Sequence, residues 1–176
     1  MTLFILRHEE RDENNPLFDS PLTDNGFEKS KKLVSLLQRL NIDIIYCSPF
    51  LRVIQTIYQY CLQTNKHVNV DNALYESLDS PLFTENNKDK TWNNLPIQYK
   101  CIVNKDYNPV YDKIKLKESF EEIKERVSLL INKLDKSKNI LIVSHKTTCN
   151  AIRSLFDDNI NSESLLNMGD IIEINL

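Results

Sequence analysis

The chain alternates short apolar runs with longer segments in which apolar residues recur every three or four positions. Short runs bounded by polar residues are typical of buried strands, and the three-or-four spacing is typical of helices with one buried face. Runs at residues 2–6, 42–46, 68–70, 139–144 and 171–174 predict five strands. Helical spacing in the intervals predicts helices between them.

Local signals place the helix starts. Thr23 is expected to cap the first helix, and Ser48-Pro49 would put a proline in the first turn of the second. Ser119 and Glu122 have the spacing of a capping box, and a further helix is predicted over about 147–156. The resulting order predicts one α/β domain over the whole chain, with a mostly parallel central sheet.

Residues 80–117 fit this alternation least. They are polar and contain Pro81, Pro96 and Pro109, so we expect an insertion or lid over one end of the sheet, with a short helix. Its aromatic residues would form a partly aromatic lid or, as we favour, pack onto the core. They are Trp92, Tyr99, Tyr107 and Tyr111.

Composition narrows the function classes. The 176 residues are 41% hydrophobic and carry a net charge of -3, which gives no reason to expect nucleic acid or a membrane as partner. No segment approaches the ~20 apolar residues of a membrane span, and we expect a cytoplasmic protein. Glycine occurs only at Gly26 and Gly169, which excludes a glycine-rich phosphate loop. The four cysteines lack metal-ligand spacing, so no metal site is predicted.

Charged and titratable side chains follow the predicted strands. Arg7 and His8 follow the first, Arg52 lies about one helical turn beyond the second, Glu76 follows the third, and His145 follows the fourth. Ligands of open α/β sheets bind at the carboxyl ends of strands. If these strands are neighbours, the five side chains converge on one opening.

These residue types favour phosphoryl transfer. A neutral imidazole can accept a phosphoryl group, guanidinium groups suit its charged oxygens, and a second, cationic imidazole would add a donor. A carboxylic acid with a raised pKa can protonate the leaving oxygen and then activate water. Each residue alone also fits an ordinary structural or surface role, and only their joint placement favours catalysis.

The segment Leu6–Arg11 resembles the opening Arg-His motif of the histidine phosphatase superfamily, also called phosphoglycerate mutase-like. Further matches follow in the family's order and span most of the chain. They are Leu22-Thr23 with Gly26, Ser48–Thr56, Leu74–Glu76, Glu118-Ser119 with Arg126, and Val143–His145.

The resemblance implies a three-layer α/β/α sandwich and a role for each matched residue. His8 would be the phosphorylated nucleophile, and Glu76 would be the proton donor and later the base. Arg7, Arg52 and His145 would hold the phosphate. No metal or organic cofactor would be needed.

The resulting hypothesis is a phosphomonoester hydrolase that acts on a small molecule or peptide and releases inorganic phosphate. A phosphoglycerate mutase is one alternative, disfavoured because the insertion is short and leaves the site open to water. A non-catalytic phospho-ligand binding or scaffold protein is another, and the oligomeric state stays open. Further candidates for substrate contact are Arg11, Asn14 and Lys146.

Two positions depart from the family pattern. Glu9 and Lys146 follow the two histidines where the family usually has glycine. A side chain there would crowd or repel the phosphate, which motivates the non-catalytic alternative. Because both lie one residue beyond neighbouring strands and carry opposite charges, we expect them to form an ion pair.

Overall fold

The computed structural model describes residues 2–15, 17–86 and 95–175. The five predicted strands are confirmed, and they form one sheet in the order β3-β2-β4-β1-β5. Strand β5 runs antiparallel to β1, whereas the other neighbouring pairs are parallel. The strands are β1 (Thr2–Arg7), β2 (Ile44–Cys47), β3 (Val68–Val70), β4 (Ile140–Ser144) and β5 (Ile171–Asn175).

Helices cover both faces of the sheet. Alternate side chains of β1 point to opposite faces, so Phe4 and Leu6 join one apolar core while Leu3 and Ile5 join the other. The first core is shared with α1 and α2, and the second with α3 and α4. The fold is therefore the expected three-layer sandwich. The helices are α1 (Asp24–Gln38), α2 (Leu51–Thr64), α3 (Phe120–Ile131) and α4 (Lys146–Arg153).

The capping predictions hold at two helix starts and fail at one. The Thr23 hydroxyl accepts a hydrogen bond from the amide of Gly26, and Ser119 and Glu122 form the capping box. Helix α2 begins at Leu51, with Phe50 at its N-cap position, rather than at Ser48-Pro49, and the Ser48 hydroxyl contacts a histidine. Helix α4 is also shorter than predicted and ends at Arg153.

The described part of 80–117 contains the short helix that was predicted, a 3₁₀ helix over Ile97–Ile102. It packs on α2, where the Gln55 amide donates to the Tyr99 hydroxyl at 3.0 Å. The Tyr107 ring meets Tyr46 edge-on at 5.7 Å. These tyrosines thus pack onto the core as favoured, while Trp92 lies outside the described residues.

The register of the sheet brings three strand ends to one level. Arg7 pairs with Ser144, and Cys47 pairs with Val143. The amide of His8 donates to the Ser144 carbonyl at 2.9 Å, which fixes the first residue beyond β1 against the end of β4. The predicted neighbourhood of these strands is therefore confirmed. Among the described residues no helix is long and apolar enough to cross a membrane.

Candidate active site

Two imidazoles occupy the centre of this edge of the sheet. The ring centroids of His8 and His145 lie 5.1 Å apart, with the ring planes at 67°. Both residues are buried. The sequence placed them at separate strand ends, and the adjacency of β1 and β4 brings them together.

The orientation of the His8 ring is fixed by its own backbone neighbour. Its Nδ1 lies 2.7 Å from the carbonyl oxygen of Glu9. Because a carbonyl can only accept, Nδ1 carries the hydrogen and donates. In the neutral ring the lone pair is then on Nε2, which is the atom available as a nucleophile.

The charge of the His8 ring is set by its surroundings. Burial lowers the pKa of His8 well below its ordinary value of 6.5, and the guanidinium groups of Arg52, Arg7 and Arg11 lower it further. The hydrogen bond to the Glu9 carbonyl acts in the opposite direction and is outweighed. His8 is therefore neutral at pH 7, as a nucleophilic imidazole must be.

His145 is held between an arginine and a serine. Its Nδ1 lies 3.4 Å from Nη2 of Arg52, and its Nε2 lies 2.8 Å from Oγ of Ser48. Since a guanidinium can only donate, Nδ1 accepts and Nε2–H donates to Ser48. Burial, Arg52 and His8 lower the pKa of His145 well below 6.5. The expectation of a cationic second imidazole is thus wrong for this arrangement, because a fully buried ring beside arginines stays neutral.

Arg52 is the most buried cation of the site. Its Nη1 donates to the carbonyl of Leu17 at 2.9 Å, and its guanidinium lies 4.4 Å from the centre of the Phe50 ring. Burial lowers the pKa of Arg52 to about 9, although the carboxylate of Glu76 opposes this effect, so the group is charged at pH 7.

Arg7 is anchored at one nitrogen. Its Nη1 donates to the Leu166 carbonyl at 2.6 Å. Its Nε is buried and has no hydrogen-bond partner within the described ranges of the chain. Buried donors are seldom left unpaired, so this nitrogen is a ready donor for an anion.

Glu76 lies next to the second imidazole. Its Oε2 is 3.7 Å from Nδ1 of His145, and its Oε1 accepts from the Ser77 amide at 3.0 Å. Burial raises the pKa of Glu76 above 4.5, and Arg52 and the Ser77 amide only partly oppose it. With 20% of its side chain exposed, the carboxyl reaches both the cluster and solvent.

The segment after β1 places one further cation at the edge of the cluster. The charge of Arg11 contributes to lowering the pKa of both His8 and His145, and its Nη1 donates to the Asp12 carbonyl at 2.6 Å. Asn14 lies in the adjoining exposed turn, with its amide bound by the Asp12 carboxylate. Arg11 therefore acts on both histidines through its charge, and Asn14 lies in the exposed turn that follows it.

Comparisons with known proteins decide the family. The family model described as histidine phosphatase superfamily (branch 1) matches residues 3–168. The chain belongs to this superfamily. A relative from Hydrogenobacter thermophilus, named "Putative phosphoserine phosphatase 2", is 30% identical over 157 residues, which are 85% of this chain and 75% of that protein.

Solved structures of several phosphatases share the fold. A mycobacterial glucosyl-3-phosphoglycerate phosphatase complexed with VO3 has a TM-score of 0.71 at 16% identity, covering 99% of this chain and 92% of the other. The α-ribazole phosphatase of Shigella flexneri has a TM-score of 0.69 at 22% identity, covering 100% of this chain and 91% of the other. The phosphoserine phosphatase of Entamoeba histolytica, in complex with 3-phosphoglyceric acid, has a TM-score of 0.68 at 21% identity, covering 98% of this chain and 89% of the other.

The predicted ion pair between the two departures from the family pattern is wrong. Glu9 is 3% exposed, and its side chain lies against Gly169, where a Cβ atom would come within 2.5 Å of Oε1. Lys146 instead lies 3.8 Å from Glu163, and no ion pair joins it to Glu9 in the described part of the chain. Neither side chain has a contact with His8 or His145 among the bonds described above.

Two hydroxyl groups escaped the residue-level reasoning although they organise this histidine phosphatase site. Ser48 accepts the hydrogen bond from His145, and Thr56 Oγ1 accepts from the Glu9 amide at 3.0 Å while donating to the Arg52 carbonyl. Both belong to the Ser48–Thr56 motif, which was the available signal. No group of three or more metal-ligating side chains is arranged to bind a metal within the described residues.

Proposed function

We propose that the protein is a phosphomonoester hydrolase that acts through a phosphohistidine on His8. The hydrogen bond from Nδ1 of His8 to the Glu9 carbonyl supports this most directly, because it leaves a lone pair on Nε2. That atom belongs to a buried ring on which the guanidinium groups of Arg52 and Arg7 act. Such a cluster of cations favours a dianion that completes it.

In the first step, Nε2 of His8 attacks the phosphorus atom and the ester P–O bond breaks. The developing charge on the equatorial oxygens is met by the guanidinium groups of Arg7 and Arg52. Protonated Glu76 gives its proton to the leaving oxygen, and its raised pKa keeps a supply of the acid form in mildly acidic solution.

In the second step, the Glu76 carboxylate takes a proton from water, whose oxygen attacks the phosphorus of the phosphohistidine. The P–N bond breaks, inorganic phosphate leaves and His8 returns to its neutral form. His145 contacts Arg52 and Ser48 and keeps the Arg52 guanidinium in position beside the phosphoryl group in both steps. The scheme needs no metal and no organic cofactor.

The substrate class follows from the rim. Arg11 places a positive charge beside the cluster, and it suits an ester with a second anionic group, with Asn14 and Lys146 as further candidates at the edge. The relatives named for phosphoserine and glucosyl-3-phosphoglycerate are consistent with small phosphate esters of this kind. Phosphoserine is therefore the first alkyl ester to test.

The positions of Glu9 and Lys146 weaken the argument for a non-catalytic binding protein. The non-catalytic hypothesis rested on crowding by these two side chains, and the structure turns one towards Gly169 and the other towards Glu163. No described feature favours a mutase over a hydrolase.

Trapping of the phosphoenzyme tests the proposal. The protein is mixed with p-nitrophenyl phosphate, quenched within milliseconds at alkaline pH, where phosphohistidine persists, and mapped by mass spectrometry. We expect phosphate on His8 and a fall in kcat/KM of at least about a thousandfold in His8→Ala. His67→Ala is the matched control, because His67 is exposed.

Three results would contradict the proposal. Turnover that survives in His8→Ala would show that His8 is not the nucleophile. Absence of turnover on both p-nitrophenyl phosphate and phosphoserine would favour the non-catalytic binding protein. A requirement for a bisphosphate primer would indicate the mutase instead.

A further inference from the structure

One buried ion pair has no part in the chemistry above. Glu118 and Arg126 have side chains that are only 2% and 1% exposed. The carboxylate binds Nε of Arg126 at 3.0 Å and Nη2 at 2.9 Å, in a two-pronged contact. Burying such a pair seldom adds net stability, so its geometry calls for another explanation.

The third nitrogen of Arg126 reaches the segment that carries the proposed acid. Nη1 donates to the carbonyl of Ala73 at 2.7 Å and to that of Tyr75 at 3.1 Å. The guanidinium carbon also lies over the Tyr75 ring, 3.7 Å from its centre. Glu118 thus fixes one side of the guanidinium while the other side holds the backbone immediately before Glu76.

Two hydroxyl groups complete the support from the opposite direction. Ser144 donates to the Leu74 carbonyl at 2.8 Å, and Thr148 donates to the Tyr75 carbonyl at 2.7 Å. These residues lie on either side of His145 in the sequence. Three successive carbonyls before Glu76 are therefore each bound by a buried side chain.

We propose that Arg126, oriented by Glu118, and the hydroxyls of Ser144 and Thr148 are positioning residues that hold the Glu76 carboxyl in register with the phosphate cluster. This inference rests on the proposed function. A proton donor must lie within hydrogen-bond reach of the leaving oxygen, and an error of about 1 Å is costly. Because Ser144 and Thr148 flank His145, the same contacts fix Glu76 relative to the imidazole.

Leaving-group dependence separates positioning from mere structural support. A p-nitrophenolate leaves without a proton, whereas the alkoxide of phosphoserine needs one. We compare kcat/KM, which reports the steps up to phosphoryl transfer, for both substrates in each variant. Loss of acid positioning lowers the phosphoserine value selectively.

The first variant is Thr148→Val, which removes one hydroxyl and keeps the shape. Thr64→Val is its matched control, because Thr64 makes a 2.7 Å bond of the same type to the Tyr60 carbonyl at the end of α2. We expect kcat/KM for phosphoserine to fall about tenfold in Thr148→Val, with p-nitrophenyl phosphate changed by less than about threefold. Thr64→Val should leave the ratio of the two substrates unchanged.

Arg126→Lys keeps the charge and removes the fork, and we expect a selective loss of about a hundredfold. If this variant fails to fold, Thr148→Val and Ser144→Ala still test the positioning role. If the wild type is active and every variant keeps the wild-type ratio of kcat/KM for the two substrates, whether or not both values fall, the positioning role is overturned. An inactive wild type would instead count against the proposed function.

Discussion

The ends of β1 and β4 carry the same pattern, a histidine followed by a charged residue, yet they treat the charged residue in opposite ways. At the end of β1, Glu9 is buried and Oε2 has no hydrogen-bond partner in the described chain. At the end of β4, the Lys146 side chain is 34% exposed and faces Glu163. Among the described residues, neither charged side chain forms a hydrogen bond or ion pair with His8 or His145.

The cause of the difference is the backbone that follows each histidine. Lys146 is the first residue of α4, and its side chain leaves on the solvent side of the helix. Glu9 continues as non-helical chain, so its side chain needs room inside the protein. Gly169 provides it, with φ of +80° and no Cβ to collide with the carboxylate. In the family pattern, glycine follows the histidine and no side chain needs room there. In this chain Glu9 follows His8, and the missing side chain of Gly169 provides the room instead.

Among changes that test this comparison, the largest effect is expected from removing the imidazole at the end of β4. In His145→Ala we expect kcat/KM to fall by about a hundredfold or more, because the ring that packs against His8 and holds Arg52 and Ser48 in place is lost. The phosphoenzyme should still form on His8, only more slowly, and rapid-quench measurements would follow it. A variant with no detectable phosphoenzyme would show that the two strand ends share the nucleophilic role.

A smaller effect is expected from the charge of Glu9. Burial raises the pKa of Glu9 above its ordinary value of 4.5, and Lys29 and a hydrogen bond from the Glu10 backbone oppose this only in part. A raised pKa in the folded state favours folding most below pH 4.5, and that contribution is lost as the pH rises through the folded value. The stability of the wild type relative to Glu9→Gln should therefore decline over this interval.

Urea unfolding of both proteins at several pH values measures this difference. Glu10→Gln is the matched control, because the pKa of Glu10 is lowered by Lys29, Thr23 and Asn25 and its relative stability should change in the opposite direction. A difference between wild type and Glu9→Gln that stays constant or grows with pH would show that the Glu9 carboxylate is accommodated in its charged form.

The contrast between the two strand ends also marks what sequence reasoning could reach. Strands, helix caps and the gathering of His8, Arg52 and His145 were predictable, because each depends on local periodicity or on where parallel strands end. The fates of Glu9 and Lys146 were not, since they depend on Gly169 and on the first turn of α4. The contact of Ser48 with His145, which follows β4, was likewise out of reach, because it joins residues far apart in the sequence.

The smallest effect is expected at Lys146, and it completes the contrast. Its distance of 3.8 Å from the exposed Glu163 is that of a weak surface ion pair. Lys146→Ala should therefore change the free energy of unfolding by less than about 0.5 kcal/mol and kcat/KM for p-nitrophenyl phosphate by less than about twofold. A fall in kcat/KM of more than about twofold, greater for phosphoserine than for p-nitrophenyl phosphate, would instead assign Lys146 to the substrate-binding rim. It would then be the β4 side of the site, and not the β1 side, that uses its departure from glycine for recognition.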